Sequence, residues 1–461
     1  MSGVKFYERV KMTVSGTPGT GAITLGSAVS TLYQSFAAAG VGNGETVDIY
    51  LTDGAANGRE SASYNSSTGV LTRTFISSTT GSTLSLSSAA TVEIVPAAAD
   101  LNACIRADVV QALTTAQQSQ ATANIGLGLS FRNRLINGDH RFDQRNEGSG
   151  STAINVYMTD RWTYLASQTG KLTWGQNLNA ITPPVGFSSY LGFQSASAYS
   201  VGSSDYFVFG QLVEGLNFYD LGWGTANALA ATLSFWVRSS LTGTFGGVVR
   251  NFASTRSYPF TYSIAAANTW TYISIAIPGD TSGTWVGAST AGALSILLGL
   301  GIGSGQVGSP GSWASAGAAG ASGAVSLVGT NSATFYITGA QFEAASTPTT
   351  FERRPWLIEH LLCQRYYFKT WAPGTPVATA ASQDSVLSFI GSGAGYWSLP
   401  YPTPMRVVPT TVIYDASGNP NAVDNASGTP TSYSSARGLM VGCTGTSGNY
   451  VHWHATANAE L

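Results

Sequence analysis

Several stretches of this 461-residue sequence set aromatic rings among glycines. Trp285 follows GDTSGT, Trp313 lies inside GSGQVGSPGSWASAGAAGASGA, and Trp371 sits in KTWAPG. Tyr396 and Trp397 stand together in GSGAGYWSLPYP, with Tyr401 close behind. Flat aromatic faces stack on the apolar faces of sugar rings, while neighbouring amides and carboxylates hydrogen-bond the hydroxyls. The surrounding glycines argue against deep burial. Trp285, Trp313, Trp371, Tyr396, Trp397 and Tyr401 are therefore the candidate ligand-binding residues, with the Tyr396–Trp397 pair favoured and Asn419, Asn421 and Asn425 adding polar contacts. Packing between subunits is the competing explanation. Trp162, Trp174, Phe235 and Trp236 lie in strand-like runs and read as core.

Bond cleavage requires groups that are sparse here. Glycoside hydrolysis needs two carboxyls at a set separation, and Asp139 with Asp143 would share a strand face if NGDHRFDQR is extended. Asp160 and Glu343 could join them in space. Arg141, Arg145 and Arg161 offer a plainer account, in which carboxylates and guanidiniums pair at a sheet rim and fix the first strand against the last. No GxSxG elbow is present, and His140, His360, His452 and His454 have no neighbouring pattern that marks a base. No catalytic residue and no cofactor is assigned, and the chain reads as a binder. Cys104, Cys363 and Cys443 are odd in number and far apart, so neither a disulfide framework nor a zinc site is expected.

These residues must be positioned by strands. Charged residues reach only 10% against 43% hydrophobic, and 54 glycines with 21 Tyr, 19 Phe and 11 Trp suit short strands joined by tight turns. A net charge of −2 without any Lys/Arg block leaves no electrostatic footprint for nucleic acid or anionic lipid. Glycines interrupt the most apolar run, GALSILLGLGIG, well short of a membrane span, and the first twenty residues lack a signal-like core. Neither export signal nor membrane insertion is expected.

Along the chain, VKFYERVKMTV alternates as a half-buried strand, with Val4, Phe6, Val10, Met12 and Val14 on one face and Glu8 the exception. AITLG, VDIYLTDG and SASYNSSTGVLTRTF continue a small β domain over 1–100. Residues 101–130 then read as a neck helix whose Val109, Leu113, Ala116, Gln120, Ala123 and Leu127 form a thin heptad seam. That seam can pack on its own domain or associate with copies of itself. From 131 to 352, runs such as RWTYLAS, YFVFGQLVE, ATLSFWVRSS and ATFYITGAQFE suit a two-sheet jelly roll, with the segment from Gly303 as a surface loop. Residues 353–370 predict a bridging helix with Trp356, Leu357, Leu361, Leu362 and Tyr366 as its apolar stripe and Glu352, Arg353, Arg354, Glu359 and Arg365 as polar flanks. A C-terminal β-sandwich tip would occupy 371–461. The fold class is all-β.

Several of these segments resemble the tail fibres, or receptor-binding proteins, of tailed bacteriophages. FYERVKMTVSGTPGTGAITLGSAV with YQSFAAAG looks like the module that opens many such fibres, and ALTTAQQSQATANIG like their neck helix. NRLINGDHRFDQRN with TDRWTY is similar to the start of the fibre jelly roll, and ITGAQFEAASTPTTFERRPWLIEHLLCQRYY to its close. MRVVPTTVIYD and ATANAEL resemble the terminal domain. The likeness is weakest between about 165 and 330, and the neck is shorter than in fibrous members. It implies a homotrimer located in the virion, whose N-terminal domain docks on a phage tail or baseplate protein and whose later domains meet bacterial cell-surface polysaccharide. A structural tail component carrying another adhesin, or a polysaccharide depolymerase, are the alternatives. The resemblance also raises a calcium ion held by NGD and the QFE strand, and a metal gathered by His452 and His454 around a threefold axis; the ligand spacing commits to neither.

Overall fold

The computed structural model describes residues 7–95, 131–380, 387–390, 393–445 and 449–461. The six neck positions Val109, Leu113, Ala116, Gln120, Ala123 and Leu127, and Cys104, lie outside the described residues. The chain falls into two compact units, Met1–Leu127 and Gly128–Leu461. It is nearly all β, and no described helix is long and apolar enough to cross a membrane.

In the first unit, β1 (Lys11–Ser15), β2 (Ile23–Ala28), β3 (Thr46–Asp53), β4 (Ala56–Asn65), β5 (Val70–Ser78) and β6 (Thr91–Ile94) close into a barrel in the order β1-β2-β5-β4-β3-β6. Closure leaves no exposed strand edge. The alternation read from the sequence holds where it is described: Val10, Met12 and Val14 are buried with Ile49, Leu51, Leu71 and Val92, while Glu8 is exposed. One ion pair is interior, with Glu60 fully buried 3.5 Å from Arg73. The Arg73 guanidinium also donates to the carbonyls of Gly19, Gly21 and Leu84, as a buried cation requires.

The second unit begins with a two-sheet sandwich. Its strands are β7 (Val156–Tyr157), β8 (Trp162–Ala166), β9 (Leu172–Gln176), β10 (Leu191–Ser195), β11 (Tyr206–Glu214), β12 (Ala231–Ser239), β13 (Gly243–Asn251), β14 (Ser257–Ile264), β15 (Thr271–Ile277), β16 (Gly292–Ile302), β17 (Val307–Gly308), β18 (Gly320–Ala321) and β19 (Thr334–Glu343). One sheet runs β15-β12-β19-β10-β9, the other β14-β13-β16-β11-β8-β7. Between them lies the aromatic core, including Trp162, Tyr164, Trp174, Phe193, Phe209, Phe235 and Phe335. Trp162, Trp174 and Phe235 are thus core as expected, whereas Trp236 is only half-buried.

The apolar run GALSILLGLGI is central strand β16, buried on both faces. Its inner side meets the core, and its outer side is covered by the segment from Gly303, where Ala318 and Ala319 pack on Val208, Val248 and Leu297. That segment is therefore not a free surface loop. A strand covered on both faces has no reason to alternate, which explains the unbroken run.

NGDHRFDQR is not a strand. Asn137 and His140 take left-handed backbone (φ 56° and 53°), and Gly138 lies so close to β19 that an added Cβ would stand 2.1 Å from the Ala340 carbonyl oxygen. Only glycine permits that approach. Helix α1 (Trp356–Gln364) also differs from its apolar-stripe reading: it buries Glu359, His360, Cys363 and Gln364, while Trp356 and Leu357 are 50% and 60% exposed. The reason is polar. Glu359 accepts the Asn137 backbone N–H and pairs with Arg354, whose guanidinium reaches the carbonyls of Asn133 and Leu135. Once one buried charge needs partners, the helix face that carries it turns inward.

The tip comprises β20 (Tyr367–Lys369), β21 (Leu387–Ile390), β22 (Gly393–Pro400), β23 (Thr410–Tyr414), β24 (Ala426–Ser435), β25 (Gly438–Gly445) and β26 (Tyr450–Asn458). β26 pairs with β20, β21 and β23, and a separate sheet runs β22-β25-β24. Their facing sides share a core of Phe368, Ile413, Leu439, Val441, Val451 and Trp453.

Candidate functional site

The outer face of β22-β25-β24 carries two of the most exposed aromatic rings of the tip. Tyr396 on β22 is 61% exposed and Tyr433 on β24 is 55% exposed. In register, Tyr396 faces Gly442, which faces Thr431; one row along, Ser398 faces Met440, which faces Tyr433. The two tyrosines thus occupy neighbouring rows of one face, with ring centroids 6.1 Å apart and planes tilted by 57°.

Gly442 shapes this surface. A Cβ there would stand 2.5 Å from the Tyr396 ring and 2.7 Å from Thr431 Oγ1, so the ring lies down over the strand because that position has no side chain. Beside it runs a groove of about 410 Å3 lined by Ser398, Pro400, Tyr433, Ser435, Arg437 and Met440. An exposed ring, flanking hydroxyls and a guanidinium over a shallow groove can stack one sugar and hydrogen-bond its neighbours.

The other expected ligand-binding residues are placed differently. Trp397 follows Tyr396 in the same strand and so points to the opposite face, where its ring lies over Gly395 and is half-buried. The favoured pair is split by strand geometry and cannot form one surface. Trp371 is 2% exposed: it stacks on His454 (4.3 Å, 8°), meets Tyr414 edge-on, and donates from Nε1 to the Thr379 carbonyl. Tyr401 is 7% exposed and packs edge-on against Phe368.

Trp285 and Trp313 are half-buried members of an aromatic cluster with Phe218 and Trp223. Their indoles donate to Asp280 Oδ2 and the Pro278 carbonyl. Glycines around a ring thus mark close-packed turns here as often as open ones. Asn419 caps the turn at Asp415, and Asn425 donates to the Tyr450 carbonyl. Tyr433 was not among the expected residues; its run TPTSYSS carries neither glycine nor a second aromatic, and only alternation along β24 could have marked it.

The carboxylates considered for catalysis are held in structural contacts. Asp143 accepts from the backbone N–H groups of Asn146 and Gly148, and Asp139 pairs with Arg141 at 3.3 Å. Asp160 accepts from the backbone and side chain of Gln144 and lies 3.7 Å from Arg145, while burial pushes its pKa up to about 7. Glu343, the acidic residue of QFE, accepts from Gln341, from Thr349 N–H and from Thr349 Oγ1, with Arg132 at 3.6 Å. Such N–H and guanidinium partners occupy the oxygens a calcium ion would need.

His454 is fully buried under Trp371 and bonds Thr370 Oγ1 through Nδ1; burial lowers its pKa to about 4. His452 is half-buried beside Tyr450. No group of three metal-ligating side chains occurs among the described residues.

The sequence matches no known protein family and no curated protein. Among solved structures, it is similar to the enzymatically active domain of tailspike protein 4 of bacteriophage CBA120, at 12% identity and TM-score 0.25, covering 46% of this chain and 22% of that one. The chain therefore spans about a fifth of that tailspike domain. It is also similar to a family 61 carbohydrate-binding module bound to β-1,4-galactotriose (11% identity, TM-score 0.24, 46% of this chain and 99% of that one). A family 11 carbohydrate-binding module from Clostridium thermocellum, bound to a β-1,3-1,4-mixed-linked tetrasaccharide, matches at 11% identity and TM-score 0.21, with 44% and 98% covered. Each likeness spans less than half of this chain.

Proposed function

We propose that this chain is a tail-fibre adhesin of a tailed bacteriophage, which holds bacterial surface glycan on the outer face of its tip without cleaving it. The observation that supports this reading best is the Tyr396–Tyr433 platform, two neighbouring exposed rings, that of Tyr396 lying over Gly442, beside a groove flanked by serine hydroxyls. Single exposed aromatics are ordinary, whereas neighbouring rings that share one sheet face beside a groove are the kind of patch that marks an interaction surface. The virion location, the homotrimer and the docking of the N-terminal barrel on a tail or baseplate protein rest on the fibre-like segments of the sequence. Binding without cleavage is supported by the carboxylates, whose oxygens already serve internal donors.

The test is adsorption. Purified full-length protein is expected to bind host cells and block phage attachment, while Tyr396→Ala with Tyr433→Ala removes both effects and leaves the melting temperature within a few degrees. Tight binding to a tail protein without any binding to cells would instead make the chain a structural carrier of another adhesin. Release of reducing sugar from host capsule would make it a depolymerase.

A further inference from the structure

The three strands of the platform sheet, together with the hairpin that joins β24 to β25, contain a single charged residue, Arg437. It sits in that hairpin, whose backbone is fixed on several sides. Arg437 N–H donates to Ser435 Oγ, its carbonyl accepts from Tyr401 N–H, and the Ala436 carbonyl accepts from Met405 N–H. Ser435 Oγ donates in turn to the Gly438 carbonyl. The guanidinium on this rigid turn is exposed, lines the groove beside Tyr433, and takes part in no ion pair among the described residues.

Most other arginines of the second unit are matched to carboxylates, as Arg256 is to Asp280, Arg354 to Glu359 and Arg365 to Glu214. Arg238, Arg250, Arg353 and Arg406 are not, but their guanidiniums lie over the Tyr336 and Phe187 rings or donate to the carbonyls of Ala318, Thr290, Ala459 and Glu460. An unmatched guanidinium beside an exposed tyrosine and several hydroxyls offers a planar, two-pronged donor to a ligand carboxylate, which a neutral sugar would leave unused.

From this we infer that the groove selects an acidic saccharide, one whose ring stacks on the tyrosines while its carboxylate meets Arg437. The inference rests on the glycan-binding reading of the tip and sharpens it to a ligand class. A charge-assisted pair at a partly screened site contributes roughly tenfold in affinity.

The experiment uses the full chain on an array of uronate- and sialate-bearing oligosaccharides printed beside their carboxyl-reduced forms. Capture is expected on carboxylated members only, weakened about tenfold by Arg437→Gln, partly restored by Arg437→Lys, and reduced by added salt. Equal capture of the reduced forms, or an unchanged Arg437→Gln variant, overturns the acidic class while leaving the tyrosine platform standing. An array that captures nothing also overturns it, and the cell-adsorption assay of the tyrosine variants then tells whether glycan binding itself falls.

Discussion

A single missing side chain governs the candidate site. Replacing Gly442 by Ala would push the Tyr396 ring off the sheet, since the new methyl would stand 2.5 Å from it, yet the ring is exposed and free to swing outward. The expected outcome is a loss of glycan or cell binding close to that of Tyr396→Ala with a thermal stability change under about 1 kcal/mol, read by adsorption and melting in parallel. Unchanged binding would mean that the ring's flat pose is irrelevant. At this scale the sequence was half legible. Tyr396 was picked out by its glycines, and the same cue misled at Trp371, whose ring is buried against His454, and at Trp397, whose neighbour already took the outward direction. Glycine frequency reports that a turn is tight; which side of it faces water is decided by partners distant in sequence, such as Thr379 and Tyr414 for Trp371.

Between the elements, the sandwich, α1 and the tip meet through charge. Glu460, just beyond β26, pairs with Arg145 and with Arg161, which is 1% exposed and lies 3.5 Å from the Tyr366 ring centroid. Arg406 holds the same segment through the Ala459 and Glu460 carbonyls and also reaches Thr290 in the sandwich. Arg365 of the α1 end grips Glu214 of β11 with two bonds of 3.0 and 3.1 Å. Removing one partner of such a buried pair leaves an uncompensated charge, at a cost of about 3 kcal/mol or more. Glu460→Gln is therefore expected to lower the melting temperature and to split one calorimetric transition of the second unit into two, as the tip loosens from the sandwich. A single transition at the original temperature would show that Glu460 contributes nothing to the coupling. The arginine-rich run around NGDHRFDQR did announce ion pairing. The condition that it be extended fails, because φ > 0 at Asn137 and His140 leaves no trace in hydrophobic periodicity. The helix face departs from its apolar stripe for a related reason: such a stripe assumes that charges seek water, and Glu359 instead finds Asn137 and Arg354.

For the molecule as a whole, all-β character and a strand-rich sandwich were legible from composition and turn spacing, because 54 glycines and a 10% charged fraction leave few alternatives. What composition could not supply is how many copies act together. A shallow groove of about 410 Å3 with two exposed rings predicts a weak single site, of the order that millimolar sugar binders show. Cell attachment then needs several sites held on one body, where a second contact forms at high effective concentration and avidity rises by roughly 10²–10⁴. The heptad positions Leu113 and Leu127 expected from the sequence are the place to test this, since a charge at each would oppose association through an apolar seam while leaving the tip sequence unchanged. On the proposed trimeric reading, Leu113→Asp with Leu127→Asp is expected to give monomers by sedimentation equilibrium and to weaken whole-cell binding by about two orders of magnitude, while affinity for a soluble single-site oligosaccharide stays the same. If the unmodified chain sediments as a monomer and still adsorbs tightly, the tip must bind strongly by itself, and the platform described here is too small to account for it.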